Sequence, residues 1–169
     1  MIRFFIISLL LLTLSPFSIA ETNTTRFIYS SLDFYIPSNP TVVGSKAGYD
    51  NFVFFRYGDE KGKRFLAFSN MTNDKSVNYG CSAENFYAKL IDENKDYSCN
   101  KTEIESFKKY FASNSETGKW NGDNFTSYYF YNIEKSFLFI FKDNTSIKID
   151  TNFLSLNELK DIVRNYVTH

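Results

Sequence analysis

The chain reads as α+β: an antiparallel sheet of about six strands with two or three helices packed on one face, clamped by one disulfide. Three observations predict this. Strand-period segments come in two runs joined by short turns. Helical-period segments lie apart from those runs, a pattern of α+β domains rather than of alternating βαβ units. Aromatic content is high, at 19 Phe, 12 Tyr and one Trp in 169 residues, and aromatic and β-branched side chains favour the pleated, half-buried surface of a sheet.

The elements follow in order. Residues 1–20 have the pattern of a secretory signal peptide. Arg3 supplies a positive charge, Phe4 to Leu14 is an apolar run broken only by Ser8 and Thr13, and Ser18-Ile19-Ala20 places small residues before Glu21. The run is shorter than the ~20 apolar residues a membrane-spanning helix needs. No cysteine follows it for lipid attachment. Residues 21–169 then form a single α+β domain without an integral membrane segment, periplasmic or secreted.

Ile28 to Ile36 alternates as one strand, ended by Pro37 to Pro40. Phe52 to Tyr57 and Arg64 to Ser69 flank Gly58-Asp59-Glu60-Lys61-Gly62 and predict a hairpin with a charged tip. Asn70 to Gly80 is polar and reads as a loop. Phe86, Leu90 and Ile91 suggest a short helix within Ser82 to Asp92. Thr102-x-x-Glu105 has capping-box spacing, and Ile104, Phe107, Tyr110 and Phe111 then share one helical face. Ser113 to Asn124 is polar and rich in turn residues, and reads as a loop. Three strands follow: Phe125 to Ile133, Ser136 to Lys142 and Ser146 to Asp150. The middle one is apolar on both faces and therefore interior. Ser155-x-x-Glu158 is a second capping box, opening a helix striped by Leu156, Leu159, Ile162, Val163 and Tyr166.

Cys81 and Cys99 are the only cysteines. In an oxidising compartment the even pair reads as a disulfide. Two cysteines without supporting histidines do not make a zinc site, which takes about four ligands, so no metal or cofactor is expected. Five Asn-x-Ser/Thr triplets begin at Asn23, Asn70, Asn100, Asn124 and Asn144. They matter only in a eukaryotic secretory pathway.

Charge narrows the partners. Lys and Arg number 19 against 19 Asp and Glu, and a balanced chain lacks the basic footprint that nucleic acid requires. Residue supply narrows the chemistry. The one histidine, His169, is the last residue, which disfavours Ser-His-Asp and Cys-His machinery. Paired carboxylates remain as an enzymatic option, with Asp59 and Glu60, Asp92 and Glu93, and Glu103 and Glu105 as candidates. Each pair sits at an expected turn or helix start, where acids serve the helix dipole or simply meet solvent.

Trp120, the only tryptophan, sits in the most polar stretch of the chain. Folding back onto a sheet edge is the ordinary fate of so large a side chain. Exposure as a binding anchor is the functional alternative, because Trp, Tyr and Arg dominate binding hot spots. The candidate binding residues are Trp120 with Lys119, Asn121, Asp123, Tyr129 and Tyr131. On strand alternation Tyr129 and Tyr131 point together, while Tyr128 points away. The expected function is that of an exported, non-catalytic binding protein, an inhibitor or immunity-type protein that neutralises an envelope-acting toxin or hydrolase by complex formation. A binding module for a small apolar ligand or envelope polymer, using an aromatic pocket between sheet and helices, is the alternative. A carboxylate-dependent hydrolase is the third.

Overall fold

A computed structural model describes residues 23–46, 51–72 and 74–168. The expected signal peptide and His169 lie outside the described residues. Among the described residues nine strands and three α-helices follow one another: β1 (Thr24–Tyr29), β2 (Leu32–Pro37), β3 (Val42–Lys46), β4 (Phe52–Arg56), β5 (Phe65–Asn70), α1 (Ala83–Ile91), α2 (Lys101–Phe107), β6 (Glu116–Gly122), β7 (Phe125–Tyr131), β8 (Ser136–Lys142), β9 (Thr145–Thr151) and α3 (Leu156–Ile162). Seven strands form one antiparallel sheet in the order β3-β4-β5-β9-β8-β7-β6, and β1 and β2 form a separate hairpin. The class is mixed α+β, as expected, with more strands than the sequence showed.

The helices do not share one face. α1 and α2 pack on the side of the sheet that carries Tyr128, Phe130, Phe137 and Phe139. α3 and the β1–β2 hairpin pack on the other side, over Leu66, Phe68, Leu138, Ile140, Ile147 and Ile149. The reason lies in β8, where every residue from Ser136 to Ile140 is buried. A strand apolar on both faces needs cover on both.

The expected single strand Ile28 to Ile36 is two strands. Ser30 and Ser31 both adopt positive φ, 48° and 65°, which makes the two-residue turn whose twist suits a hairpin. Past the turn, Leu32, Phe34 and Ile36 alternate into the core as expected. Ile28 stays 60% exposed.

Caps explain the helix starts. The Ser82 hydroxyl accepts from the Asn85 amide and opens α1. The Asn100 side chain accepts from the Thr102 and Glu103 amides and opens α2. The expected Thr102–Glu105 box is therefore not used, because the helix starts at Lys101 and Thr102 already lies inside it. The Ser155–Glu158 box forms as expected: each side chain bonds the other's backbone amide, at 3.3 and 2.8 Å. Cys81 and Cys99 form the disulfide. It joins the residue before the α1 cap to the residue before the α2 cap. One cross-link thus holds both helix starts together.

Candidate functional site

Antiparallel register lines up five residues across five adjacent strands. Lys46 pairs with Phe52, Phe52 with Ser69, Ser69 with Lys148, and Lys148 with Phe139. Directly paired residues project from the same face. All five line a groove of about 1330 Å³, larger than the ~300–1,000 Å³ of ordinary ligand pockets. The half of the sheet formed by β3, β4, β5 and β9 is its floor. Tyr79, Tyr87, Phe107 and Phe111 line it with aromatic rings, and Asn70, Met71, Asp74, Lys75, Ser76 and Val77 line it as a polar rim.

The aromatic side is firmly packed. Tyr87 lies flat on Phe139, ring centroids 3.9 Å apart and planes 23° from parallel. Phe86 and Tyr87 meet Phe107 edge-on, at 5.1 and 6.3 Å. After Phe107 the helix loosens into one π-helical turn, Lys108–Ala112, a device frequent at functional sites. Phe111 in that turn meets Phe137 and Phe139 edge-on, at 4.6 and 5.3 Å. Burial pushes the Tyr87 phenol far above the ordinary tyrosine range, with Tyr79 adding to the effect. Burial also raises Tyr79. Both phenols are therefore neutral at physiological pH.

The polar rim is tied down by hydrogen bonds. The Met71 amide donates to the Ser146 carbonyl at 2.8 Å. The Ser146 amide donates to the Thr72 hydroxyl at 3.0 Å. Asn70 accepts from the Thr72 amide and donates to Ser30 in the β1–β2 turn. Asp74 accepts from the Ser76 amide. Three lysines line the groove, Lys46, Lys75 and Lys148, against one carboxylate, Asp74. The Lys148 ammonium lies 3.0 Å from Asp150, which is only 13% exposed.

The sequence-predicted residues lie elsewhere. Ser113 to Asn124 is not a loop, because Glu116–Gly122 forms edge strand β6. An edge strand pairs on one side and faces solvent along much of its length, so it does not need the apolar alternation that betrays an interior strand. Trp120 stacks on Tyr129, centroids 4.7 Å apart and planes 27° from parallel, and both are half-buried. Gly118 permits this. It lies opposite Tyr129, and any side chain there would run into the tyrosine ring. Tyr131 projects from the same face, opposite Glu116.

Lys119 and Asn121 pair with Tyr128 and Thr126 and so project from the other face. Asp123 is exposed in the β6–β7 turn. The structure thus brings Trp120, Tyr129 and Tyr131 together, without Lys119, Asn121 or Asp123. The Thr168 amide donates to the Asn121 carbonyl at 3.0 Å, so the C-terminal segment covers that end of β6.

Of the expected acid pairs, Asp59 and Glu60 are exposed at the hairpin tip, and Glu93 is bound by Lys108. None of the six acids lines the groove. Among the described residues no cluster of three His, Cys, Asp or Glu side chains is arranged to hold a metal ion. No described helix is long and apolar enough to cross a membrane. Comparison with protein-family models, curated proteins and solved structures finds no match.

Proposed function

We propose that this is an exported, non-catalytic binding protein whose ligand occupies the groove between the open half of the sheet and helices α1 and α2. The observation that carries the reading is the shared rung Lys46–Phe52–Ser69–Lys148–Phe139, which runs under a concave space of about 1330 Å³. A few polar groups in an aromatic-lined concavity are the usual make-up of a ligand site. The rim hydrogen bonds and the disulfide behind α1 and α2 support a preformed site, which binds at lower entropic cost. The disulfide also supports export into an oxidising compartment.

The test is a plug. Ser69 lies at the centre of the floor, so Ser69→Trp places an indole inside the groove. A thermal-shift screen of the oxidised protein should find ligands that raise the wild-type melting temperature. Those shifts should vanish in Ser69→Trp. Shifts that survive the plug unchanged would place the site elsewhere.

The half-buried aromatic face formed by Trp120, Tyr129 and Tyr131 favours a second reading, in which the protein neutralises an envelope-acting toxin or hydrolase by complex formation. Crosslinked pull-down of tagged protein would then return one stoichiometric partner, lost in Trp120→Ala. Retention of that partner by the variant would remove Trp120 from the interface.

A further inference from the structure

We infer that the β3 edge of the seven-stranded sheet takes a second copy of this chain, paired antiparallel about a two-fold axis at Gly44. The two edges of the sheet differ in cover. At the β6 edge the Thr168 amide donates to the Asn121 carbonyl at 3.0 Å, and the Tyr166 backbone lies close against Gly122. At the β3 edge, β4 is the one strand that β3 meets. An open edge is a template for another strand, and native edges are usually guarded by proline or by charge. From Val42 to Ser45 this strand carries neither. Val43, an apolar residue, is 60% exposed there.

The register shows which backbone groups point outward. The Tyr57 amide donates across to Arg64, towards β5. Amides alternate in direction along a strand, so those of Val53 and Phe55 also face β5, and those of Phe52, Phe54 and Arg56 face β3. The Met71 amide, donating to Ser146 across β9, gives the same phase from the far side of β5. Val42, Gly44 and Lys46, opposite Arg56, Phe54 and Phe52, therefore bond inward. Val43 and Ser45 turn their amides and carbonyls outward, and among the described residues no hydrogen bond reaches them.

A second copy satisfies these groups. With Gly44 facing Gly44 of the second copy, Val43 faces Ser45 of that copy and exchanges both backbone bonds with it. Symmetry repeats the exchange between Ser45 and the other Val43. Lys46 is the one charged residue of β3. It falls opposite Val42 of the second copy, so the two lysines stand roughly 14 Å apart along the strands. The Phe54 ring lies over the bare Gly44 backbone, and the axis brings the two Phe54 rings side by side. The rung Gly44–Phe54–Ala67–Asp150–Phe137 then continues through the axis into its counterpart. Because β6 is covered, the sheet grows on one side only, and the assembly closes as a dimer rather than a fibre. A five-residue strand buries less than the ~1,200 Å² of a standard interface, so the dimer is a weak one, forming at roughly 100 μM.

Sedimentation equilibrium of the oxidised protein across that range tests this, with amide hydrogen exchange on the same samples. Dimer is expected to form as concentration rises. Exchange at Val43 and Ser45 should slow at least tenfold with it, while Val42 and Gly44, already bonded inward, stay slow throughout. Val43→Lys places a charge on an already exposed position, so it should keep the melting temperature of the dilute protein and remain monomeric. A monomer at tenfold higher concentration would overturn the inference. So would a dimer that persists in Val43→Lys, which would place the contact elsewhere. Slow exchange at Val43 and Ser45 in the dilute monomer would mean that another segment of the same chain lies on the edge, and would also overturn it. The measurements on the unmodified protein stand whether or not the variant folds.

Discussion

The sheet ends in two edges built by the same device. At one, Gly44 of β3 lies opposite Phe54 of β4. At the other, Gly118 of β6 lies opposite Tyr129 of β7. In both places a side chain on the glycine would collide with the facing ring, so the ring lies across the bare backbone of the edge strand, a known way to satisfy an edge glycine. A second aromatic then stacks beside the first: Phe52 on Phe54 at 5.9 Å, and Trp120 on Tyr129 at 4.7 Å. The chemistry is alike, but the surroundings differ. The Phe52 end shares its face with α1, α2 and the polar rim of Asn70, Met71 and residues 74–77, and becomes the floor of a groove. The Trp120 end lies on the opposite face and packs at the margin of the core beneath α3. Aromatic side chains alone do not define a site, since a wall beside them is what turns a patch into a groove.

Breaking the wall should have the largest effect. Phe139 is fully buried under Tyr87, and Phe139→Ala should cost about 3–5 kcal/mol in urea unfolding. It should also abolish binding in the groove. Replacing Cys81 and Cys99 together by serine should cost about 3 kcal/mol, as expected for a loop of this length. Hydrogen exchange should then show the loss of protection in α1 and α2, with β6 and β7 retained. Equal loss in both regions would mean that the disulfide supports the whole fold rather than the wall.

The edge glycines separate the two ends of the sheet. Gly44→Val and Gly118→Val should each cost about 1–3 kcal/mol by overpacking. Their functional effects should differ. Gly44→Val should weaken groove ligands by disturbing Phe54 and its neighbour Phe52. Gly118→Val should shift the fluorescence of Trp120, the only tryptophan, and leave groove ligands unaffected.

Alkaline pH gives a smaller, graded effect. Burial pushes Tyr57 and Tyr128 each up to about 12, against about 10 for a tyrosine in the unfolded chain. A raised folded-state value means that the stability from neutral phenols is fully present below pH 10 and is lost as pH rises from 10 through 12. Absorbance at the tyrosinate band should show exposed tyrosines ionising first, and these buried ones only as unfolding sets in. A single transition of all tyrosines near pH 10 would contradict their burial.

Legibility in the sequence followed how local each signal was. The disulfide needed only the count of cysteines. β8 declared itself by apolar residues in both phases, and α3 by a cap and a stripe within a dozen residues. The β1–β2 turn was hidden because Ser30 and Ser31 hold left-handed backbone where Gly or Asn is the usual marker. β6 was hidden because an exposed edge tolerates polar residues, and its partner β7 lies across a turn that looked like the end of a loop. α2 was placed correctly but capped by Asn100, just upstream of the expected box.

The groove could not be read at all residue by residue. Alternation tells which residues of one strand share a face. It does not tell that β9 inserts between β5 and β8, and only that insertion brings Lys148 beside both Ser69 and Phe139. An aromatic pocket between sheet and helices was foreseeable from composition. Its address was not.

The most direct measurement is an amide NMR titration of the oxidised protein with a compound that raises its melting temperature. Shifts are expected to concentrate at Lys46, Phe52, Ser69, Lys148 and Phe139 and to spread into α1 and the π-helical turn, while Gly118, Trp120 and Tyr129 stay still. Shifts confined to β6 and β7, with the Lys46–Phe139 rung unmoved, would place the site on the other face and overturn the groove.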